Sequence, residues 1–381
     1  MKIFIAGIGL TDFGELWDKS LEDLLRQASA AAIEDAQLDF SDIEAIYVAN
    51  MGAGTFEGQM HLGALVSSWF AHHPPAMRIE GACASGGLAL MAAEDALESG
   101  RYQTVLVVGA EKMTDVSAAE ATQVLAGAAD IQAEYGSTFP GLYALLALQH
   151  MEAYGTTREQ LSAVSVKNHK HGLDNRHAQY HKEFTLDQVS KSELVAAPLR
   201  LLDCSPLTDG AAAVVLTSKK TARQTVEVIG RGHGMDSLTL AQRESLTSIG
   251  ATKRAAKQAF AQAGLKPTDI QAAEVHDCFT IAELLALEDL GFFKPGEAGQ
   301  ATLEGKTTYG GQLVVNPSGG LKASGHPVGA TGIKQVAYLT KLLREEKFST
   351  VLTHNVGGSG ATAVVHILQS VEATKKKRKS L

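Results

Sequence analysis

Ser41-Asp42-Ile43-Glu44-Ala45-Ile46-Tyr47-Val48 and Thr268-Asp269-Ile270-Gln271-Ala272-Ala273-Glu274-Val275 are two copies of one helix-to-strand passage. Each follows a helical pattern, ending at Gln37 in the first copy and at Gly264 in the second, and each runs into an apolar strand. From Asp42 to Asp269 the offset is 227 residues. Tyr102-Gln103-Thr104-Val105-Leu106 recurs as Phe348-Ser349-Thr350-Val351-Leu352 at an offset of 246. Gly210-Ala211-Ala212-Ala213-Val214-Val215 recurs as Gly360-Ala361-Thr362-Ala363-Val364-Val365 at an offset of 150. The rise in offset puts an extra loop in the second half, around residues 291–309, and the fall puts an insertion in the first, about residues 112–207.

Each half alternates strands with helices: in the first, strand 3–8, helix 20–36, strand 44–49, helix 84–98 and strand 103–109. That alternation predicts layered α/β structure, with helices between sheets and the halves related by a pseudo-twofold. The expected division is residues 1–220, 221–370 and a basic tail, 371–381. The insertion, rich in Ala, Gln, His and Tyr, reads as helices and loops capping a site.

With 45% hydrophobic and 20% charged residues among 381, the composition is that of a soluble globular chain with two or three domains. A net charge of −8 argues against a nucleic-acid partner. Cys83, Cys204 and Cys278 are too few and too far apart for a disulfide framework or a CxxC metal site, which favours a reducing compartment, the cytoplasm. The apolar start, Met1 to Gly7, is too short for a signal segment and reads as a buried strand. No stretch approaches the ~20 apolar residues of a membrane span. Lys375-Lys376-Lys377-Arg378-Lys379 reads as a solvated tail.

Three segments carry the chemistry. Cys83, in Gly81-Ala82-Cys83-Ala84-Ser85-Gly86-Gly87, precedes a helical pattern; helix N-termini favour a thiolate and can hold an oxyanion. His276-Asp277-Cys278-Phe279 follows a strand end, where α/β proteins place ligand sites. His326 lies in Ser324-Gly325-His326-Pro327-Val328-Gly329, just before Ala330-Thr331-Gly332, the repeat partner of Ala84-Ser85-Gly86. The repeat therefore brings two helix starts together, one with a cysteine and one with a histidine. A Cys–His pair supplies a nucleophile and its base.

The stretch Asn316 to Gly332, with Asn-Pro-Ser-Gly-Gly-Leu-Lys-Ala-Ser-Gly-His-Pro-Val-Gly-Ala-Thr-Gly, resembles the histidine signature of thiolases, and Ser205 to Val215 resembles the segment closing their first half. The resemblance covers nearly the whole chain. It implies a duplicated five-layered α/β/α/β/α fold with an inserted loop domain. Most thiolases carry Asn-Glu-Ala-Phe at the position of His276-Asp277-Cys278-Phe279 and a second cysteine in a Cys-x-Gly-Gly-Gly motif near the C-terminus. Here the latter region reads Thr353-His354-Asn355-Val356-Gly357-Gly358-Ser359-Gly360. That departure resembles the branch of sterol-carrier-protein-type and archaeal acetoacetyl-CoA thiolases.

By this resemblance, Cys83 takes the acyl group and His326 its proton. His276 holds an enolate oxygen, and Cys278 exchanges a proton with carbon. The backbone N–H groups of Cys83 and Gly358 form a second oxyanion hole. The division of the acid/base role among Cys278, His354 and His326 stays open. Acyl-CoA and CoA are the implied substrates, with no bound cofactor and no metal. A homodimer or homotetramer is implied, with residues 103–109 at a two-fold interface. Alternatives are a subunit of a complex that channels acetoacetyl-CoA to a partner synthase, and a 3-oxoacyl synthase-like condensing enzyme.

Other features read as structural. Cys204, Trp17 and Trp69 are expected to pack, Gly7-Ile8-Gly9 to form a simple turn, and His169, His171, His177 and His181 to lie in a solvated or CoA-proximal loop.

Overall fold

The computed structural model describes residues 1–219 and 226–371, so the expected boundary at 220/221 and the basic run lie outside the described residues. The main strands are β1 (Ile3–Leu10), β2 (Ala45–Ala49), β3 (Ala76–Ile79), β4 (Thr104–Glu111), β5 (Gly210–Thr217), β6 (Val226–Met235), β7 (Ala272–Glu274), β8 (Val314–Val315), β9 (Thr350–Gly357) and β10 (Thr362–Ser370). The longer helices are α1 (Leu21–Ala36), α2 (Ser85–Glu98), α3 (Phe139–Tyr154), α4 (Arg158–Gly172), α5 (Gly250–Ala263), α6 (Thr280–Asp289) and α7 (Thr331–Arg344).

The strands lie in the order β8-β7-β9-β10-β6-β1-β5-β4-β2-β3. Cut between β6 and β1, this gives two five-stranded sheets with the same plan: two parallel neighbours at one end, then two antiparallel ones. Among the described residues, the two sheets are hydrogen-bonded to each other only through the short pairing of Ile3 with Val228 and Phe4 with Glu227. Helix α1 covers the outer face of the first sheet, α5 that of the second, and α2 and α7 lie between them. The result is the expected five-layered α/β/α/β/α architecture, and the chain between β4 and β5 carries the inserted helices α3 and α4.

Glycine sets the spacing of the layers. A Cβ on Gly7 would lie 2.0 Å from the Ala32 carbonyl oxygen, and one on Gly9 would lie 2.1 Å from that of Ala28. Gly7-Ile8-Gly9 is therefore not a turn; it is strand backbone pressed against α1. Gly230, Gly232 and Gly234 of β6 meet α5 in the same way. At the pseudo-twofold, α2 and α7 touch: a Cβ on Gly332 would lie 2.4 Å from the Gly87 nitrogen and 2.4 Å from Asn355 Oδ1. Gly332→Ala is expected to lower stability by about 1–3 kcal/mol or more, the cost of overpacking rigid backbone. Urea melts check this, and an unchanged midpoint would refute the claim that this contact limits the helix spacing.

Two further structural expectations fail. Residues 104–111 form β4, which is wholly buried and paired on both sides, so it has no free edge for a second subunit; the free edges belong to β3 and β8. Trp17 is 70% exposed rather than packed, whereas Trp69 is partly buried, donates to Glu22 and lies against Arg26. Among the described residues, no helix is long and apolar enough to cross a membrane.

Candidate active site

Cys83 occupies a tight turn leading into α2. Ala82 is held at φ +53, a left-handed conformation that a non-glycine residue adopts only under constraint. The constraint is local: Ala82 N–H donates to Glu80 (2.6 Å), and the Ser85 hydroxyl donates to the Ala82 carbonyl (2.6 Å) while accepting from Gly81 N–H (3.0 Å). The turn leaves Cys83 on the wall of a mostly apolar cavity of about 440 Å³, which His326, Cys278, Gly358 and Tyr143 also line. The insertion supplies Ala118, Leu125, Phe139 and Pro140 to the same wall, so it does cap the site.

His326 comes from the loop before α7. Its backbone N–H donates to Thr208 Oγ1 (2.9 Å). The Thr331 hydroxyl has one proton and gives it to the Pro327 carbonyl (3.0 Å), so its 2.7 Å contact with His326 Nδ1 requires that Nδ1 carry the ring proton. Nε2 is then the basic nitrogen. Beneath this loop, buried Lys334 donates to the Gly325 carbonyl (2.5 Å), fixing the residue before His326.

His276 is oriented by Asn355. The Asn355 amide donates to the Cys83 carbonyl (2.8 Å) and approaches His276 Nδ1 (3.4 Å), while its oxygen accepts from Gly87 N–H (3.1 Å). His276 Nδ1 thus accepts and Nε2 carries the proton; buried Nε2 has no protein partner among the described residues. The His276 and His326 rings stand edge to face, 5.0 Å apart. One donor atom each from Cys83, His276 and His326 lies within 4.8 Å of the others.

Asp277 points the other way. Its carboxylate accepts from Leu321 N–H (2.7 Å), Lys322 N–H (3.2 Å) and Asn168 Nδ2 (2.7 Å), tying the His276–Phe279 loop to the short helix that leads to His326. Cys278 is buried, and its carbonyl accepts from Ser205 N–H (2.9 Å). His354 turns away from the cavity: Nε2 meets Thr252 Oγ1 of α5 at 2.9 Å.

Burial decides the charges. It pushes the Cys83 thiol up to about 12, opposed by the N–H groups of Gly358 and of Cys83 itself, which both reach the sulfur. It pulls His326 down to about 3, with Lys334 adding to the effect. The expectation that the helix start would favour a resting thiolate therefore fails, because desolvation outweighs it; the resting pair is neutral thiol and neutral imidazole.

Cys204, expected simply to pack, is half-buried on the wall of the same cavity, its backbone bridged to Phe279. Of the four histidines expected in a solvated loop, His177 (half-buried) and His181 (exposed) do lie in the loop after α4, whereas His169 and His171 do not. His169 and His171 are buried on α4, with His171 bonded to the Val315 and Asn316 carbonyls (3.1 Å each); His177 meets Asp12, and His181 the Asn175 carbonyl. Tyr143, Asn355 and Thr331 are site residues that sequence reasoning did not single out.

A duplicated α/β fold with a buried cysteine and two histidines where its central helices meet defines an acyl-transfer enzyme class. Residues 3–220 match the family description "Thiolase, N-terminal domain" and residues 232–370 match "Thiolase C-terminal domain-like". The chain is 47% identical to an acetyl-CoA acetyltransferase of Methanothermobacter thermautotrophicus, over 96% of this chain and 98% of that protein. It is 32% identical to human sterol carrier protein 2, over 95% of this chain and 71% of that protein. Among solved structures, an Ltp2-ChsH2(DUF35) aldolase is similar at TM-score 0.83 and 26% identity, covering 97% of this chain and 98% of that one. Human mitochondrial 3-ketoacyl-CoA thiolase shares the fold at TM-score 0.76 and 17% identity, covering 97% and 99%. The chain belongs to the thiolase family.

Proposed function

We propose that this acyltransferase catalyses reversible thiolysis and Claisen condensation of acyl-CoA through an acyl-Cys83 intermediate, with acetoacetyl-CoA or another 3-oxoacyl-CoA and CoA as substrates. The observation that carries the reading is the 4.8 Å grouping of Cys83, His276 and His326, with Cys83, His326 and Cys278 lining one mostly apolar cavity. In thiolysis, His326 Nε2 takes the Cys83 proton as sulfur attacks the 3-oxo carbon. The Cys83 and Gly358 N–H groups hold the oxyanion. The C2–C3 bond breaks, His276 Nε2–H holds the enolate oxygen, and Cys278 gives C2 its proton. CoA then passes its thiol proton to Cys278 and attacks the acyl carbon, and departing Cys83 recovers its proton from His326. Every proton returns to its starting residue, and the residues complete the cycle without a metal or bound cofactor. Incubation with acetyl-CoA is expected to add one acetyl mass to the peptide holding Cys83; a label on Cys204 or Cys278 would overturn the reading.

We propose also that the chain works as a homo-oligomer. The exposed edge of β3, with Met77 half-exposed, is an apolar strand edge open to a second copy. Sedimentation at micromolar concentration is expected to give at least a dimer, and a monomer would count against it. The similarity to the two-component Ltp2-ChsH2(DUF35) aldolase supports a partner protein as well, and co-purification from the native source tests for one.

A further inference from the structure

Tyr143 is the bulkiest fully buried side chain among the described residues, and it carries a hydroxyl into the apolar wall of the cavity. Its ring lies against Phe279, with centroids 4.7 Å apart and planes at 31°. Phenylalanine would fill that space equally well, and a buried hydroxyl costs free energy unless it is partnered. The partners are specific. The hydroxyl donates to the Gly358 carbonyl (3.1 Å), and the Cys278 thiol lines the same cavity wall beside it, where the tyrosine favours the charged sulfur. One oxygen thus stands on the cavity wall between the residue assigned to the oxyanion hole, which it bonds, and the cysteine assigned to carbon proton transfer.

We infer that Tyr143 is a positioning residue for Cys278, holding its sulfur in place and donating to it whenever the thiolate forms. The inference rests on the acid/base role proposed above for Cys278. The proton count closes with no co-reactant. While Cys278 is a thiol, the Tyr143 O–H donates to the Gly358 carbonyl. When Cys278 gives its proton to carbon, the Tyr143 O–H turns to the sulfur. A hydrogen bond to an ionised group is roughly twice as strong as a neutral one, so the turn favours the charged state. Negative charge on Cys83 or on the buried Asp277 opposes the Cys278 thiolate, the Arg243 charge favours ionisation of the tyrosine, and His326 lines the same cavity.

Tyr143→Phe tests this. Expected are a fall in thiolysis kcat of about 10-fold or more, the scale of one hydrogen bond to a charge, with KM within about two-fold and Cys83 acetylation near wild type. In a Cys83→Ala background, the pH midpoint for iodoacetamide labelling of Cys278, read by peptide mass, is expected to rise. Combined with Cys278→Ala, Tyr143→Phe is expected to cost nothing further. Wild-type thiolysis, an unmoved midpoint or an additive double variant would each overturn the inference. If Tyr143→Phe does not fold, 3-fluorotyrosine placed at position 143 preserves the packing; its more acidic hydroxyl is expected to lower the midpoint, and no shift would overturn the inference. Retained thiolysis in Cys278→Ala alone would instead sink the assignment of Cys278, whatever Tyr143 does.

Discussion

Cys83→Ala is expected to reduce thiolysis and condensation on the order of 10⁴-fold or more, the scale for removing a nucleophile that works as a unit with its base. The cavity holds two other thiols, so the prediction is discriminating. Cys278 contacts Tyr143 and belongs to a loop anchored through Asp277. Cys204 lies on the opposite strand of the Cys204–Phe279 bridge, its thiol directed to the Arg200 carbonyl (3.4 Å). Only Cys83 sits within 4.8 Å of both imidazoles and receives the Gly358 N–H. The fold should tolerate the change, because the substitution removes one sulfur that faces a cavity. Residual activity within about 100-fold of wild type in a folded variant would show that another group carries the acyl chain.

The same resting state predicts the behaviour of the wild-type thiol. With Cys83 pushed up to about 12 and His326 down to about 3, both by burial, the thiolate is scarce at neutral pH until an acyl group arrives to share the charge. Labelling of Cys83 by iodoacetamide without substrate is expected to be slow at pH 7 and to accelerate as the pH rises toward the thiol's value. Fast labelling at pH 7 would mean that the helix start wins over desolvation after all.

The duplication was legible because it lies in residue order: an apolar strand after a helix reads the same wherever it occurs, and a repeat fixes which helices face each other. Cys83 and His326 could be paired for that reason alone. What pattern cannot reveal is which side of a strand is open. The segment at 104–111 is as apolar as an interface strand, yet it is flanked on both edges by β2 and β5. Glycine spacing misleads in a similar way, since Gly7 and Gly9 look like a turn until α1 is placed against them. Histidines 169 and 171 look solvated among lysines, but the inserted helix turns them inward. Tyr143, Asn355 and Thr331 bond across large sequence separations or through proton direction, and no local signal marks them.

Cys278→Ala is expected to separate the two half-reactions. Forming acetyl-Cys83 from acetyl-CoA needs the nucleophile, His326 as its base, and the Cys83 and Gly358 N–H groups, none of which the substitution touches. The Claisen step needs in addition a proton taken from or returned to carbon. Cys278 is buried on the cavity wall, whereas His354, also a candidate for that role, is directed to Thr252 of α5 at 2.9 Å. Acetylation of Cys83 should therefore survive, while condensation and thiolysis fall by roughly 10²-fold or more, the usual scale for a general acid–base group. His354→Ala should lose only a few-fold, through repacking beneath β9. Single-turnover acetylation followed by mass, set beside steady-state thiolysis, reads both halves in one preparation. If Cys278→Ala keeps near-normal thiolysis while His354→Ala loses it, the proton passes through the strand leading to the glycine-rich C-terminal loop, and the role given to Cys278 is wrong.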